Sequence, residues 1–473
     1  MKSNYPKRLI PMYLPILLGF WAISCSHHKS LFSNTGKLVF KKNINELIMD
    51  SGLNANMGIK IKSLSTGETL YALNSEKLLL PASNNKLYTC ATALGVLGSD
   101  FVFETSIYVE KNNLYLKGGG DPDFSIEQLD SLAQIVSSSL NSIDTIFVDE
   151  SLMDTLHYGE GWMWDEGYWW YAAPVSALSM NDNCVDFYFH PGKLGEPADI
   201  TVHPPTQYIQ VKNQSVTVND TIEFKKFKIE RDWVGETNQF IISGELLDTT
   251  PKDTLIRNIV HPPLFAGTVM KEMLAERGIS VLAVSIGTLP KNASKLVSHR
   301  SDSLLYSTSN LMNESDNLTA ELLIKTLGIT EENPGNWDDG ITRVKTFLAD
   351  SAGIDTGTIR MADGSGVSRY NLTSADHFIQ LLSYMYQSPY SDDFLYVLAN
   401  GGSKGTLNNR LTKNGHKIKA KTGHLSGVSC FSGYAFSPRF GPLAFSFMMN
   451  GYIGSAKDYQ RLQDNILEML VHD

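Results

Sequence analysis

Three short clusters of nucleophilic, basic and polar side chains stand out in this chain of 473 residues: Ser83-Asn84-Asn85-Lys86, Ser315-Asp316-Asn317 and Lys421-Thr422-Gly423. In the first, serine and lysine are three residues apart, nearly one helical turn, so hydroxyl and amine share a helix face. A serine hydroxyl is a weak nucleophile at neutral pH and needs a base beside it. A lysine kept neutral in a crowded, partly positive site can be that base. A helix N-terminus after Pro81 would add positive potential where an alkoxide forms. In the second cluster, the serine can relay a proton and the asparagine amide can hold a substrate carbonyl. Taken alone, that run also reads as a cap for a helix from Leu318 to Leu327. In the third, a lysine and a threonine at a strand edge can hold a carboxylate, and the glycine lets a substrate backbone come close. Singly each signal is weak, since Ser-x-x-Lys arises by chance in a chain of this length.

The elements that must position these clusters follow from periodicity. Leu87, Cys90, Ala91, Leu94 and Leu97 recur at helical spacing, predicting a helix over 82–97 that frays at Gly95 and Gly98. Residues 102–117 alternate as short strands with a turn at Asn112-Asn113. The run Gly118-Gly119-Gly120-Asp121-Pro122 is read as a turn, because it lacks the Gly-Lys-Ser/Thr of a phosphate loop and places a proline where N–H groups would be needed. A helix is expected over 125–140 and a strand over 145–148. From 183 to 247 short alternating strands, among them 199–203, 208–212 and 239–244, form a β-rich module. Helical spacing returns at 263–277, and helices and strands alternate from Ser303 onward. Lys421 is expected to end a strand begun at Lys417, with a turn at Leu425-Ser426-Gly427 leading into 428–436. A final helix is predicted over 455–471, with Ser455 and Asp458 as a capping box and Leu462, Ile466 and Leu470 on one face.

The composition limits the function classes. A formal charge of −10, with 42% hydrophobic and 19% charged residues, excludes a disordered chain and argues against a nucleic-acid binder. The length predicts two or three domains. Lys2, Lys7 and Arg8 followed by an apolar stretch to Ile23 read as an export signal, 1–24. Ala22-Ile23-Ser24-Cys25 is similar to a bacterial lipobox, so Cys25 is the expected lipidation site, with 25–37 as a tether. Cys90, Cys184 and Cys430 are widely spaced, form no C-x-x-C pair and lack matched histidines. They read as buried and inert, with no metal site indicated.

The three motifs, in this order, resemble those of penicillin-binding proteins and serine β-lactamases. Over nearly the whole chain the sequence resembles a low-molecular-mass penicillin-binding protein of the D-alanyl-D-alanine carboxypeptidase/endopeptidase type, peptidase family S13. Gly118-Gly119-Gly120-Asp121-Pro122, the stretch 161–165 and Asp363-Gly364-Ser365-Gly366-Val367-Ser368-Arg369 resemble further signatures of that family. The first two motifs lie 232 residues apart, room for inserted domains that a compact β-lactamase does not need.

The resemblance implies an α+β multidomain fold: a β-lactamase/transpeptidase-like domain, an antiparallel sheet flanked by helices, built from 38–101 and 302–473. Nested within it are an α/β domain, 102–182 with 251–301, and an inner β-rich domain, 183–250. It assigns Ser83 as the acylated nucleophile, Lys86 as its base and Ser315 as the group that returns a proton to the leaving amine. Asn317 would hold the substrate amide. Lys421 would supply positive potential and Thr422 would bind the terminal carboxylate, with Gly423 leaving room for the substrate backbone; the backbone N–H groups of Ser83 and His424 would form the oxyanion hole. His424 departs from the small hydroxyl residue usual there. The implied partners are peptidoglycan stem peptides and, as covalent inhibitors, β-lactam antibiotics. No cofactor, metal or nucleic acid is implied, and the membrane is met only through the N-terminal lipid of an exported, periplasmic lipoprotein. The aromatic-rich segment 162–171 reads chiefly as domain-interface packing, with stem-peptide binding as the alternative. The rival activities are a serine β-lactamase and a catalytically silent wall-binding protein.

Overall fold

The computed structural model describes residues 34–220, 225–403 and 405–472. The export signal, Cys25 and the tether up to residue 33 lie outside the described residues. The helix Asn34–Asp50 begins inside the expected tether, four residues before residue 38.

The main unit is a six-stranded antiparallel sheet. Its strands run in the order Ala399–Asn400, Ile418–Leu425, Val428–Ser437, Gly441–Asn450, Asn56–Ser63, Thr69–Leu73. The central strand Val428–Ser437 is buried on both faces, which is why it reads as an apolar run without alternation. Val428, Cys430 and Tyr434 face one core with the helices Lys86–Val96, Leu304–Asn313, Asn317–Leu327 and Ala375–Gln387. Phe431 and Ala435 face another, closed by Asn34–Asp50 and Lys457–Val471. Every residue of Asn317–Leu327 is buried, marking it as the central helix of the unit.

The segment between these pieces builds further sheets. Strands Ser280–Ile286, Ser142–Asp149, Asn113–Lys117, Glu104–Glu110 and Ser294–Arg300 form a five-stranded mixed sheet in that order. The helices Ile126–Ser139 and Pro262–Glu276 share its core. The strand Asp253–Asn258 pairs with Cys184–His190, so the sheet of the β-rich module continues past residue 250, where the sequence pattern ended it. The α/β and β-rich parts share one continuous hydrophobic core. Met153, Val175 and Ala177 instead join the core of the main unit. The chain enters and leaves this segment through adjacent strands: Glu104 is paired with Arg300, Ser301 N–H donates to the Phe103 carbonyl at 3.0 Å, and Leu304 N–H donates to Phe101 at 2.7 Å.

Several local expectations change. Gly95 lies inside the helix Lys86–Val96, with the Phe347 ring packed against it, and does not fray its end. The third motif lies within a strand, because Ile418–Leu425 stays paired with Val428–Ser437 up to Leu425 against Val428. The final helix begins at Lys457 with Ala456 at the cap position. Ser455 only accepts from the Lys457 N–H at 3.2 Å, so no capping box forms. Ser125 and Gln128 do form one, at the start of Ile126–Ser139.

Candidate active site

Ser83 sits on a tight 3-10 turn, Ala82–Asn85, that leads directly into the helix Lys86–Val96. Ala82 has φ 47°, a left-handed conformation that a non-glycine residue holds only when its surroundings enforce it. Two glycines do so. A Cβ on Gly423 would lie 2.7 Å from the Pro81 carbonyl and 3.0 Å from Asn84 N, and one on Gly366 would lie 1.9 Å from the Ala82 carbonyl. Strand and loop can close on the turn only because neither residue has a side chain. Asn84 adds a bond of 2.6 Å to Ser432 Oγ, and Asn85 donates to the Asp363 carbonyl at 2.7 Å.

Lys86 is fully buried, and its Nζ lies 3.1 Å from Ser83 Oγ. It donates to Asn317 Oδ1 at 2.6 Å and to the Ser365 carbonyl at 3.0 Å. A neutral amine has two N–H bonds and one lone pair. Two acceptors take the N–H bonds, and the lone pair is left for the Ser83 hydroxyl proton. Burial lowers the Lys86 pKa to about 8, although Asp316, Glu321 and Asp363 pull it back up. An amine with such a pKa can exchange a proton near neutral pH.

The loop that supplies the Ser365 carbonyl is itself gripped. Glu321, fully buried, accepts from the N–H groups of Gly364 and Ser365 and from Trp337 Nε1, each at 2.8 Å. Its carboxyl is pushed up to about 7, chiefly by burial and then by Asp363. Asp363 accepts from the N–H groups of Gly366 and Ser368, at 2.8 and 2.6 Å, and from Asn371 Nδ2 at 2.7 Å. Sequence reasoning missed Glu321. Its place one helical turn after Asn317 was the one hint, and it carried no mark of main-chain partners.

Ser315 connects the helices Leu304–Asn313 and Asn317–Leu327 and has φ 65°. Asp316 caps the second helix, accepting from Leu318 N at 3.3 Å and Thr319 N at 2.7 Å, so the capping role and the placement of its neighbours coexist. Lys421 Nζ lies 2.9 Å from Ser315 Oγ and donates to the Thr422 carbonyl at 2.9 Å. Burial, followed by repulsion from Lys86, holds the Lys421 pKa well below the usual lysine range. The structure thereby brings Ser83, Lys86, Ser315, Asn317 and Lys421 into one cluster, with Gly423 against the nucleophile turn. Thr422 is half-buried and His424 exposed on the same strand. The edge strand Ala399–Asn400 pairs with Ala420 and Lys419, and among the described residues no strand pairs with that edge from Lys421 onward.

The aromatic segment divides. Trp162 Nε1 donates to Asp363 at 3.1 Å, and Tyr168 and Trp169 lie against the Arg257 guanidinium, 5.5 and 4.7 Å from their ring centres. The Tyr171 carbonyl accepts from Asn317 Nδ2 at 2.8 Å. Trp164 and Trp170 remain 73% and 46% exposed. Burial pushes the thiols of Cys90, Cys184 and Cys430 up, away from the reactive thiolate. Among the described residues no group of three or more His, Cys, Asp and Glu side chains is arranged to hold a metal ion.

Residues 40–471 match the model of the D-Ala-D-Ala carboxypeptidase 3 (S13) family. The chain belongs to the S13 family. It is a serine-type D-Ala-D-Ala carboxypeptidase, a hydrolase of the penicillin-binding protein class. Among S13 relatives it is 32% identical to the D-alanyl-D-alanine carboxypeptidase of Actinomadura sp. (strain R39), over 88% of this chain and 82% of that one. It is 26% identical to the D-alanyl-D-alanine carboxypeptidase DacB of Haemophilus influenzae, over 92% of both. The S13 fold is also that of the crystal structure of Haemophilus influenzae penicillin-binding protein 4, at TM-score 0.80 and 22% identity over 91% of this chain and 99% of that one. A predatory peptidoglycan endopeptidase of Bdellovibrio bacteriovorus matches at TM-score 0.51 and 16% identity, covering 88% of this chain and 93% of that one.

Proposed function

We propose that Ser83 is the nucleophile of this S13 carboxypeptidase and that Lys86 is its base. The observation carrying this is the hydrogen-bond count at Lys86 Nζ, where two acceptors leave a lone pair facing Ser83 Oγ at 3.1 Å. The hydroxyl proton passes to Lys86 as Oγ bonds to the carbonyl carbon of a D-Ala-D-Ala peptide. The backbone N–H groups of Ser83 and His424 receive the oxyanion; such donors are worth about 3 kcal/mol each. The C–N bond then breaks, and the leaving D-alanine takes its proton through Ser315, which Lys421 holds at 2.9 Å. Water attacks the acyl ester, the ester bond breaks, and Ser83 recovers its proton. Lys421 and Thr422 supply the site for the terminal carboxylate, and Asn317 holds the substrate amide. The strand edge beyond Ala420 accepts the extended peptide as an added strand.

D-alanine release from a stem pentapeptide, together with labelling by fluorescent penicillin, tests this reading. Both are expected in the purified chain and both should vanish in Ser83→Ala. A label that persists for many minutes marks the peptidase; loss within seconds would favour a β-lactamase. A crystal structure of the Haemophilus influenzae protein holds a β-lactam, which supports covalent inhibition here. Hydrolysis of cross-linked stem peptides is a second activity of the same site, supported by the endopeptidase fold likeness and by the half-exposed Trp170 next to Tyr171, whose carbonyl binds Asn317. The N-terminal signal supports export to the periplasm with lipidation at Cys25. Cys25→Ala should move the protein from the membrane to the soluble fraction.

A further inference from the structure

The segment between the halves of the main unit touches the acyl-transfer site from behind at two places. One is the Tyr171 carbonyl, which turns the Asn317 amide so that its oxygen meets Lys86. The other starts in the glycine-rich run that ends at Asp121-Pro122-Asp123. That run is clamped on both sides: Gly118 N–H donates to the Asp149 carbonyl at 2.9 Å, and Gly120 N–H to Ala177 at 2.8 Å. Asp121 accepts from the Asp123 N–H at 3.0 Å, and the Phe124 carbonyl accepts from Asn181 N–H at 3.0 Å. Asp123 is therefore presented by a fixed loop. Its Oδ2 accepts from Ser307 Oγ at 2.5 Å, and Asn310 beside it favours the charged carboxylate. Ser307 and Asn310 are three residues apart, so the carboxylate meets one face of the helix Leu304–Asn313.

That helix delivers Ser315. The left-handed Ser315 persists only if both flanking helices are held. The second helix is held by its Asp316 cap and by its complete burial. The first is held near its end by Asn313, which donates to the Val397 carbonyl at 3.2 Å, and along its flank by Asp123.

We propose that Asp123 is a positioning residue: by gripping Ser307 it fixes the helix that places Ser315 against Lys421. This rests on the acyl-transfer reading above. A misplacement of about 1 Å at such a site slows reaction by on the order of a hundredfold. Asp123→Ala and Ser307→Ala are each expected to slow penicillin acylation at least about tenfold. The affinity of the preceding non-covalent complex should be nearly unchanged. The double variant should be no slower than Asp123→Ala alone, because the two changes break one contact.

Asp123→Asn, whose amide oxygen can still accept from Ser307, should stay within about threefold of the unsubstituted chain. Asp130→Ala, which breaks the exposed pair with Arg277 in the same segment, should leave acylation unaltered. Single-turnover labelling with fluorescent penicillin reads the five variants and the unsubstituted chain, and thermal denaturation checks folding. If Asp123→Ala does not fold, Ser307→Ala, which removes one oxygen, carries the test. Folded Ser307→Ala acylating at the unsubstituted rate overturns the inference. So does an additive double variant, or Asp123→Asn as slow as Asp123→Ala. Absence of labelling in the unsubstituted chain would instead overturn the acyl-transfer reading.

Discussion

The pH dependence of acylation follows from the surroundings of Lys86. Burial lowers its pKa from 10.5 to about 8, equivalent to about 3 kcal/mol against the ammonium form. The base is the neutral amine, so activity appears as the proton leaves and the rate rises with pH. With a pKa of about 8, about a tenth of the molecules carry neutral Lys86 at pH 7 and about nine-tenths at pH 9. Acylation by saturating fluorescent penicillin, followed by stopped flow from pH 6 to 9.5, should rise about tenfold per pH unit below pH 7 and level off above about 8.5. An unburied lysine would give no plateau in this range, since its neutral fraction still climbs at pH 9.5. A rate that keeps climbing past pH 9.5 would refute the desolvation argument. A flat or falling profile would refute the base itself. Lys86→Arg, whose guanidinium stays charged, should lose about 10²–10⁴-fold at every pH.

Three further changes bear on the same arrangement. Gly423→Ala drives a methyl group to 2.7 Å from the Pro81 carbonyl; single-turnover labelling should slow at least about tenfold as strand and nucleophile turn separate. Lys325, fully buried, donates to Asp154 and to the Leu156 carbonyl and lies 3.9 Å from the Trp337 ring centre. Lys325→Ala leaves a cavity and orphaned acceptors, costing about 3 kcal/mol or more in chemical denaturation. Trp162→Phe removes the N–H bond to Asp363 and should cost about 1 kcal/mol in the same measurement.

Local features were the legible ones. Ser83 and Lys86 meet because they are one turn apart, a distance the chain itself sets. The strand Asp199–His203 and the helix Ile126–Ser139 followed from local sequence pattern. Features depending on distant backbone were not legible. Glu321 binds N–H groups 43 and 44 residues away, and no side-chain pattern announces an acceptor whose partners are main chain. The orientation of Asn317 depends on a carbonyl at residue 171, which every residue type possesses. The failure at Ser455 has the same origin: composition suggested a box, but Ala456 took the cap position.

The doorway at Phe101–Glu104 and Arg300–Leu304 sets how such a chain can vary. Because departing and returning strands bond to each other there, the roughly 200 residues between them close like a hairpin as seen from the main sheet. The entropy of their length is borne by their own folding, not by the unit that holds Ser83. Excursions of very different size can therefore be spliced at this gate while the host still folds. Any replacement must, however, bring back an acceptor where the Tyr171 carbonyl stands and another where Asp123 stands. Exchange at the gate is thus structurally cheap, and the constraint on it is catalytic.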